Sequence, residues 1–145
     1  MTSIQNTPQQ ERHAQLREWA EGRTTTVAGV ELLIRGGWTA ARLPWMNSGE
    51  GGPWVDFDAI PDRIGAYSSG EQAYLRAAAS IGSSNVDVSM GEVAFRLDRA
   101  ELQLVLAALA HAANSPQDSE ISYNEEGEPI GFSQLPSVFP WPELT

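Results

Sequence analysis

Lysine and cysteine are both missing from the 145 residues, so all nine positive charges are arginine. Without lysine there is no Walker-type phosphate grip and no Schiff-base amine. Without cysteine there is no thiolate nucleophile, no zinc thiolate and no disulfide. Histidine is scarce as well: His13 and His111 are the only imidazoles, too few for most familiar acid-base constellations. Long apolar runs are also absent. The longest mostly apolar stretch, from Leu104 to Ala110, falls far short of the ~20 residues that a transmembrane helix requires. The opening residues, MTSIQNTPQQER, carry neither the basic segment nor the apolar core of an export signal. Together these absences lead us to expect a cytoplasmic protein, with no catalytic residue, cofactor or metal assigned.

What is present describes an ordinary folding chain. With 41% hydrophobic and 19% charged residues, the composition is that of a globular protein and not of a disordered one. A length of 145 residues suits one core and is short for two. Nineteen carboxylates against nine arginines give a net charge of −10, which repels nucleic acid phosphates and anionic lipid at long range. Neither direct nucleic acid binding nor membrane binding is expected. The charge is uneven: residues 114–145 hold Asp118, Glu120, Glu125, Glu126, Glu128 and Glu143 with no arginine among them.

Local signals divide the chain. Thr7, Pro8 and Gln10 form a helix start, predicting a helix from Pro8 to Glu21. Between Thr24 and Trp45, Val30, Leu32 and Ile34 alternate with Glu31 and Arg35, and Gly36-Gly37 follows. This pattern predicts a β-hairpin, with Leu33 breaking the alternation and leaving a helix over Val27–Ile34 as the other reading. Met46 to Pro53 is a glycine-rich connector, after which Asp56 or Asp58 can cap a short helix reaching Tyr67. Three capping boxes, Ser68 with Glu71, Ser89 with Glu92 and Asp98 with Glu101, predict helices over 69–81, 90–97 and 99–113. In the last of these Leu102, Val105, Leu106 and Leu109 form the expected core stripe. Beyond Asn114, Ile121 to Tyr123 and Glu128 to Phe132 flank Asn124-Glu125-Glu126-Gly127, a second hairpin with Gly127 in the left-handed position. The final LPSVFPWPELT is extended.

Several residues invite a functional reading. Tyr67 to Gln72 resembles the signature loop of ABC-type ATPases, but a capped helix start explains Ser68 and Glu71 without a nucleotide. Gly49-Glu50-Gly51-Gly52 lacks the lysine and the positive charge of a phosphate loop. Asp56 and Asp58 flank Phe57 as a magnesium or acid-base pair would, or serve as helix caps. The stretch Asp118–Glu128 lacks the glycine and terminal glutamate spacing of a calcium loop. His111 projects from its helix with Leu104 and Ala108, on a face that is either central in the bundle or a subunit contact in a homodimer. Glu125, Glu126 and Glu128 form an anionic surface suited to a basic partner. Phe139 and Trp141, stiffened by Pro140 and Pro142, are anchors for a partner or fold back on the domain.

The stretch Ser69–Ala113, SGEQAYLRAAASIG followed by VDVSMGEVAFRLDRAELQLVLAALAHAA, resembles a helical module of small uncharacterised proteins of actinobacteria and their phages. The resemblance rests on the SGE helix start, the LDR turn and the closing VLAALAHA helix. It implies a phage or mobile-element accessory protein and brings no catalytic residue with it.

The sequence therefore predicts an α+β fold in which residues 1–113 form one globular domain, an amino-terminal helix and hairpin on a helical bundle. Residues 114–145 form an acidic hairpin and a proline-aromatic arm. The expected activity is non-catalytic protein binding through Glu125, Glu126, Glu128, Phe139 and Trp141, with Leu104, Ala108 and His111 as the candidate subunit contact. Two alternatives remain: an acidic nucleic-acid mimic that inhibits a basic enzyme, and a hydrolase using Asp56, Asp58 or His111.

Overall fold

A computed structural model describes residues 7–114 and 119–143; Asp118, counted above in the acidic stretch, lies outside the described residues. The fold is α+β: the described residues form five α-helices and two small antiparallel hairpins. Helix α1 spans Pro8–Ala20, α2 Thr24–Gly36, α3 Ser69–Gly82, α4 Met90–Arg96 and α5 Arg99–Ala112. Strands β1, Met46–Gly49, and β2, Gly52–Val55, form the first hairpin, and β3, Ser119–Tyr123, and β4, Pro129–Gln134, the second.

Helix α2 overturns the hairpin expected between Thr24 and Trp45. Eight of its residues are buried, among them Ala28, Val30, Leu32, Leu33 and Ile34. No residue from Thr26 to Arg35 is exposed, and a short, nearly continuous apolar run of this kind reads as a buried strand as readily as a buried helix. Gly37 does adopt a positive φ, +81°, but at the end of a helix. The Trp38 amide bonds the Leu33 carbonyl at 2.8 Å and the Gly37 amide bonds Ile34 at 3.2 Å, the pairing of a Schellman motif. The hairpin lies instead in the glycine-rich segment expected as a connector, with Met46 opposite Val55. Its Trp54 meets Trp19 of α1 at 6.5 Å between ring centroids.

Two glycines let α2 approach α3. A Cβ on Gly82 would stand 2.5 Å from the Phe57 ring, and one on Gly29 would stand 2.9 Å from the same ring. Phe57 is therefore wedged where the two helices come close. Nearby, the buried Tyr74 hydroxyl donates to the Leu32 carbonyl, and burial pushes the phenol's pKa well above its ordinary value. Instead of one short helix capped by Asp56 or Asp58, two 3-10 turns, Phe57–Ala59 and Pro61–Arg63, follow β2. The Asp56 side chain makes no cap hydrogen bond.

The capped helices form as their local chemistry dictates. Ser68 with Glu71, and Asp98 with Glu101, make complete reciprocal boxes, while Ser89 accepts from the Glu92 amide. Only the facing of α5 differs. Its buried side chains are Val105, Ala107, Ala108 and Ala110, whereas Leu102, Leu106 and Leu109 are exposed. The small residues permit a close approach to α2, which the leucines would prevent.

Candidate functional site

A chain of charges and rings ties the carboxyl-terminal arm to the domain at Trp141 and Pro142. Glu31 and Arg35 occupy positions i and i+4 of α2, in the favourable order for an ion pair on a helix. Arg35 Nε donates to Glu31 Oε1 at 3.0 Å, and Arg17 of α1 donates from Nε and Nη2 to the two Glu31 oxygens, each at 3.0 Å. Arg17 thus grips the carboxylate in the two-pronged manner that guanidinium geometry favours. Burial opposes the Glu31 charge, but these hydrogen bonds more than offset it and hold the carboxyl below the usual glutamate range.

Arg35 then reaches the arm. Its Nη1 donates to the Pro142 carbonyl at 2.7 Å, and its guanidinium lies over the Trp141 ring, 4.8 Å from the centroid. The same indole stands 5.3 Å from the His111 imidazole at the end of α5. His111 Nδ1 donates to the Ala107 carbonyl one turn earlier, at 2.9 Å, which fixes the ring's orientation. Because residues 111 and 141 touch, the chain between them leaves and returns at the same place. The second hairpin is therefore an arm closed at its base.

Beyond that base the hairpin stands open. Every residue of β3 and β4 is exposed. Ile121 pairs across the ladder with Phe132, and Glu120 with Ser133, so one side carries Ile121, Tyr123 and Phe132 and the other carries Glu120, Ser122 and Ser133. Phe132 is 78% and Tyr123 59% exposed. At the tip, Asn124 Oδ1 accepts from the Glu126 and Glu128 amides at 3.1 and 2.8 Å, and Gly127 takes the expected positive φ, +79°. This Asx turn directs the backbone inward and leaves Glu125, Glu126 and Glu128 exposed.

The residues singled out from sequence are thus distributed over two settings. Glu125, Glu126 and Glu128 sit together at the exposed tip. Trp141 packs back on the core at the base, with Phe139 half-buried near it. Ala108 has no exposed surface, Leu104 packs against the core and His111 carries Trp141, so that face of α5 is occupied by the chain itself. The free apolar face is the opposite one. Leu109 joins Ala77, Ile81, Val88, Met90 and Val93 around an apolar trough of about 300 Å³ between α3, α4 and α5.

The residues considered for hydrolysis are not brought together. The Ser83 hydroxyl and the Asn85 amide, the latter at 3.2 Å, both bond the Asp58 carboxylate, holding it below its ordinary pKa through the Ser83 bond first and then the Asn85 bond. His111 is under Trp141, and His13 lies within 3.1 Å of the Thr39 hydroxyl. Burial, then Arg17, lower the His13 pKa, which favours the neutral ring. Among the described residues no group of three or more histidine, aspartate or glutamate side chains is placed to hold a metal ion. No helix among them is long and apolar enough to cross a membrane.

Sequence reasoning missed Glu31, Arg35 and the apolar side of the hairpin. The alternation of Ile121 and Tyr123 around Ser122 was the available signal for the last of these. Nothing local marks Arg35 as the partner of a tryptophan more than a hundred residues away.

Comparison of the chain with protein-family models, curated proteins and solved structures finds no match.

The clamp makes a direct prediction. Trp141→Ala removes the ring from Arg35 and His111, contacts of the order of 1.4 kcal/mol together, and opening of the base should rise about tenfold. Limited proteolysis between residues 114 and 140 should accelerate by that factor, while the thermal midpoint moves by only a few degrees.

Proposed function

We propose that the protein is a non-catalytic binding protein, an accessory protein of phage or mobile-element origin, that presents its acidic carboxyl-terminal arm to a basic partner protein. One observation carries this reading. A hairpin whose strand residues are all exposed, apolar on one side and acidic at the tip, is held in place by a half-buried ion and aromatic clamp. An isolated two-stranded ribbon is marginal in water, and exposed aromatic side chains on a rigid mount are typical of binding hot spots. Clamping lowers the ordering entropy that association must otherwise overcome.

The acidic tip also supports a second reading, in which the carboxylates imitate nucleic acid phosphates in the channel of a basic enzyme. Ionic strength separates the two, because a complex held mainly by charge weakens steeply with salt and one anchored by apolar side chains does not.

The test is quantitative capture from host lysate by full-length protein against two variants. Ile121→Ser with Phe132→Ser removes the apolar side, and a Glu125→Gln, Glu126→Gln, Glu128→Gln triple variant removes the tip charge. Loss of the captured protein with the first variant, and retention at 0.5 M salt, is expected. Equal capture by wild type and both variants would overturn the proposal. Loss with the second variant alone, together with release by salt, would favour the mimic.

A further inference from the structure

The two outer edges of the second hairpin are not equivalent. The register jumps between Ser122 and Tyr123, whose partners are Gly131 and Pro129, so Ile130 is an extra residue on β4. A bulge twists an edge and interrupts its regular sequence of donors and acceptors. Pro129, at the start of β4, contributes no N–H. Strand β3 carries no inserted residue, and among the described residues it pairs with β4 alone. Its outer N–H and C=O groups are regular in spacing and unpaired within the sheet. Edges of this kind are usually blunted by lysine, proline or a covering element; Ser119–Tyr123 contains neither lysine nor proline, and all five residues are exposed among the described residues.

The side chains of β3 also specify what would fit beside it. Ile121 and Tyr123 project on one side and Glu120 on the other. Directly opposed residues on adjacent strands interact most strongly, favouring opposite charges and like apolar groups. A strand laid against β3 is therefore best matched when a basic residue stands beside Glu120 and apolar residues stand beside Ile121 and Tyr123. Glu125, Glu126 and Glu128 at the nearby tip add to the same field. A second copy of this chain is a poor occupant, since it would bring the same carboxylates to the same edge.

We propose that the outer edge of β3 accepts an extended segment of alternating basic and apolar residues from the partner as a third strand. This rests on the binding reading above and adds to it the mode of contact and the chemical pattern of the partner segment.

The experiment uses the full-length protein, isotopically labelled for NMR, and three synthetic heptapeptides. The first alternates valine and arginine; the second has the same composition with its arginines in one block; the third is the alternating peptide with its central amides N-methylated. The alternating peptide should give cross-strand contacts to the Ser119–Tyr123 amides and slow their hydrogen exchange by roughly tenfold at saturation. The methylated peptide should lose both effects, and Glu120→Gln should weaken the alternating peptide severalfold.

Equal binding of all three peptides, without contacts to β3, would overturn strand addition and leave the binding reading standing. Failure of every peptide to bind would overturn strand addition as well, while the capture experiment above decides the broader reading independently. Dimerisation through β3 in the absence of peptide would overturn the proposal in favour of a second copy.

Discussion

Replacing Glu31 by glutamine should lower the thermal midpoint by about 10 °C at neutral pH. The carboxylate and Arg35 are nearly enclosed, with 11% and 13% of their side-chain surfaces exposed, and removing one member of such a pair leaves the other charge buried without compensation. That typically costs about 3–5 kcal/mol, and each kcal/mol corresponds to about 2–4 °C in a chain of this size. Arg17, with 45% of its side chain exposed, can turn to water. Arg35 cannot do so without leaving Trp141 and the Pro142 carbonyl. The loss should therefore loosen the arm as well as the helices.

The same residue sets an acid limit. Because Glu31 has a lowered pKa in the folded chain, the unfolded chain binds more protons as the pH falls below the ordinary glutamate value of about 4.3. The stability it contributes is complete above that value and is lost as the pH falls through the folded-state pKa. Thermal melts across this window should show the wild type losing its advantage over Glu31→Gln. An advantage that stays constant down to the lowest pH would contradict the assignment.

Trp45→Ala should be equally damaging. The indole has no exposed surface, stands 6.3 Å from the Trp38 ring and donates from Nε1 to the Trp38 carbonyl at 3.1 Å. Trp38 in turn meets Tyr67 edge-on at 4.9 Å. Truncating a buried tryptophan costs about 3–5 kcal/mol through lost transfer energy and the remaining cavity, which is roughly 10–15 °C here. Trp45→Phe keeps most of the volume and removes the donor, so its effect should be smaller. A midpoint for Trp45→Ala within 2 °C of wild type would show that Trp38, Trp45 and Tyr67 do not form a structural unit.

The parts of the fold legible in sequence are those determined within a turn or two of helix. The capping residues around Ser68, Ser89 and Asp98 act on amides three positions away, and Asn124 to Gly127 act on their own turn. Their helices and the acidic hairpin follow directly. Helix α2 was obscured because Val30, Leu32 and Ile34 alternate with Glu31 and Arg35 within a short apolar run that suits a buried strand as well as a helix, and Gly37 supplies positive φ to a helix end as readily as to a hairpin. The leucines of α5 were misplaced for a related reason: hydrophobicity ranks Leu102, Leu106 and Leu109 above the alanines, but close packing on α2 selects the small face.

The candidate site divides along the same line. The tip carboxylates are visible in composition alone, since six acidic residues and no arginine occupy residues 114–145. The clamp is not, because Arg17, Glu31, Arg35, His111 and Trp141 come from four separated parts of the chain. Each has an ordinary local role, and only the tertiary fold brings them into one line.

Amide hydrogen exchange on the protein, free and bound to its captured partner, tests most directly whether the clamped arm is the working surface. Protection should rise across Ser119–Gln134, most strongly in β3, while α1 to α5 keep the rates of the free protein. Protection that appears instead around Met90, Val93 and Leu109, with the hairpin unchanged, would place the contact on the helical trough and contradict the account.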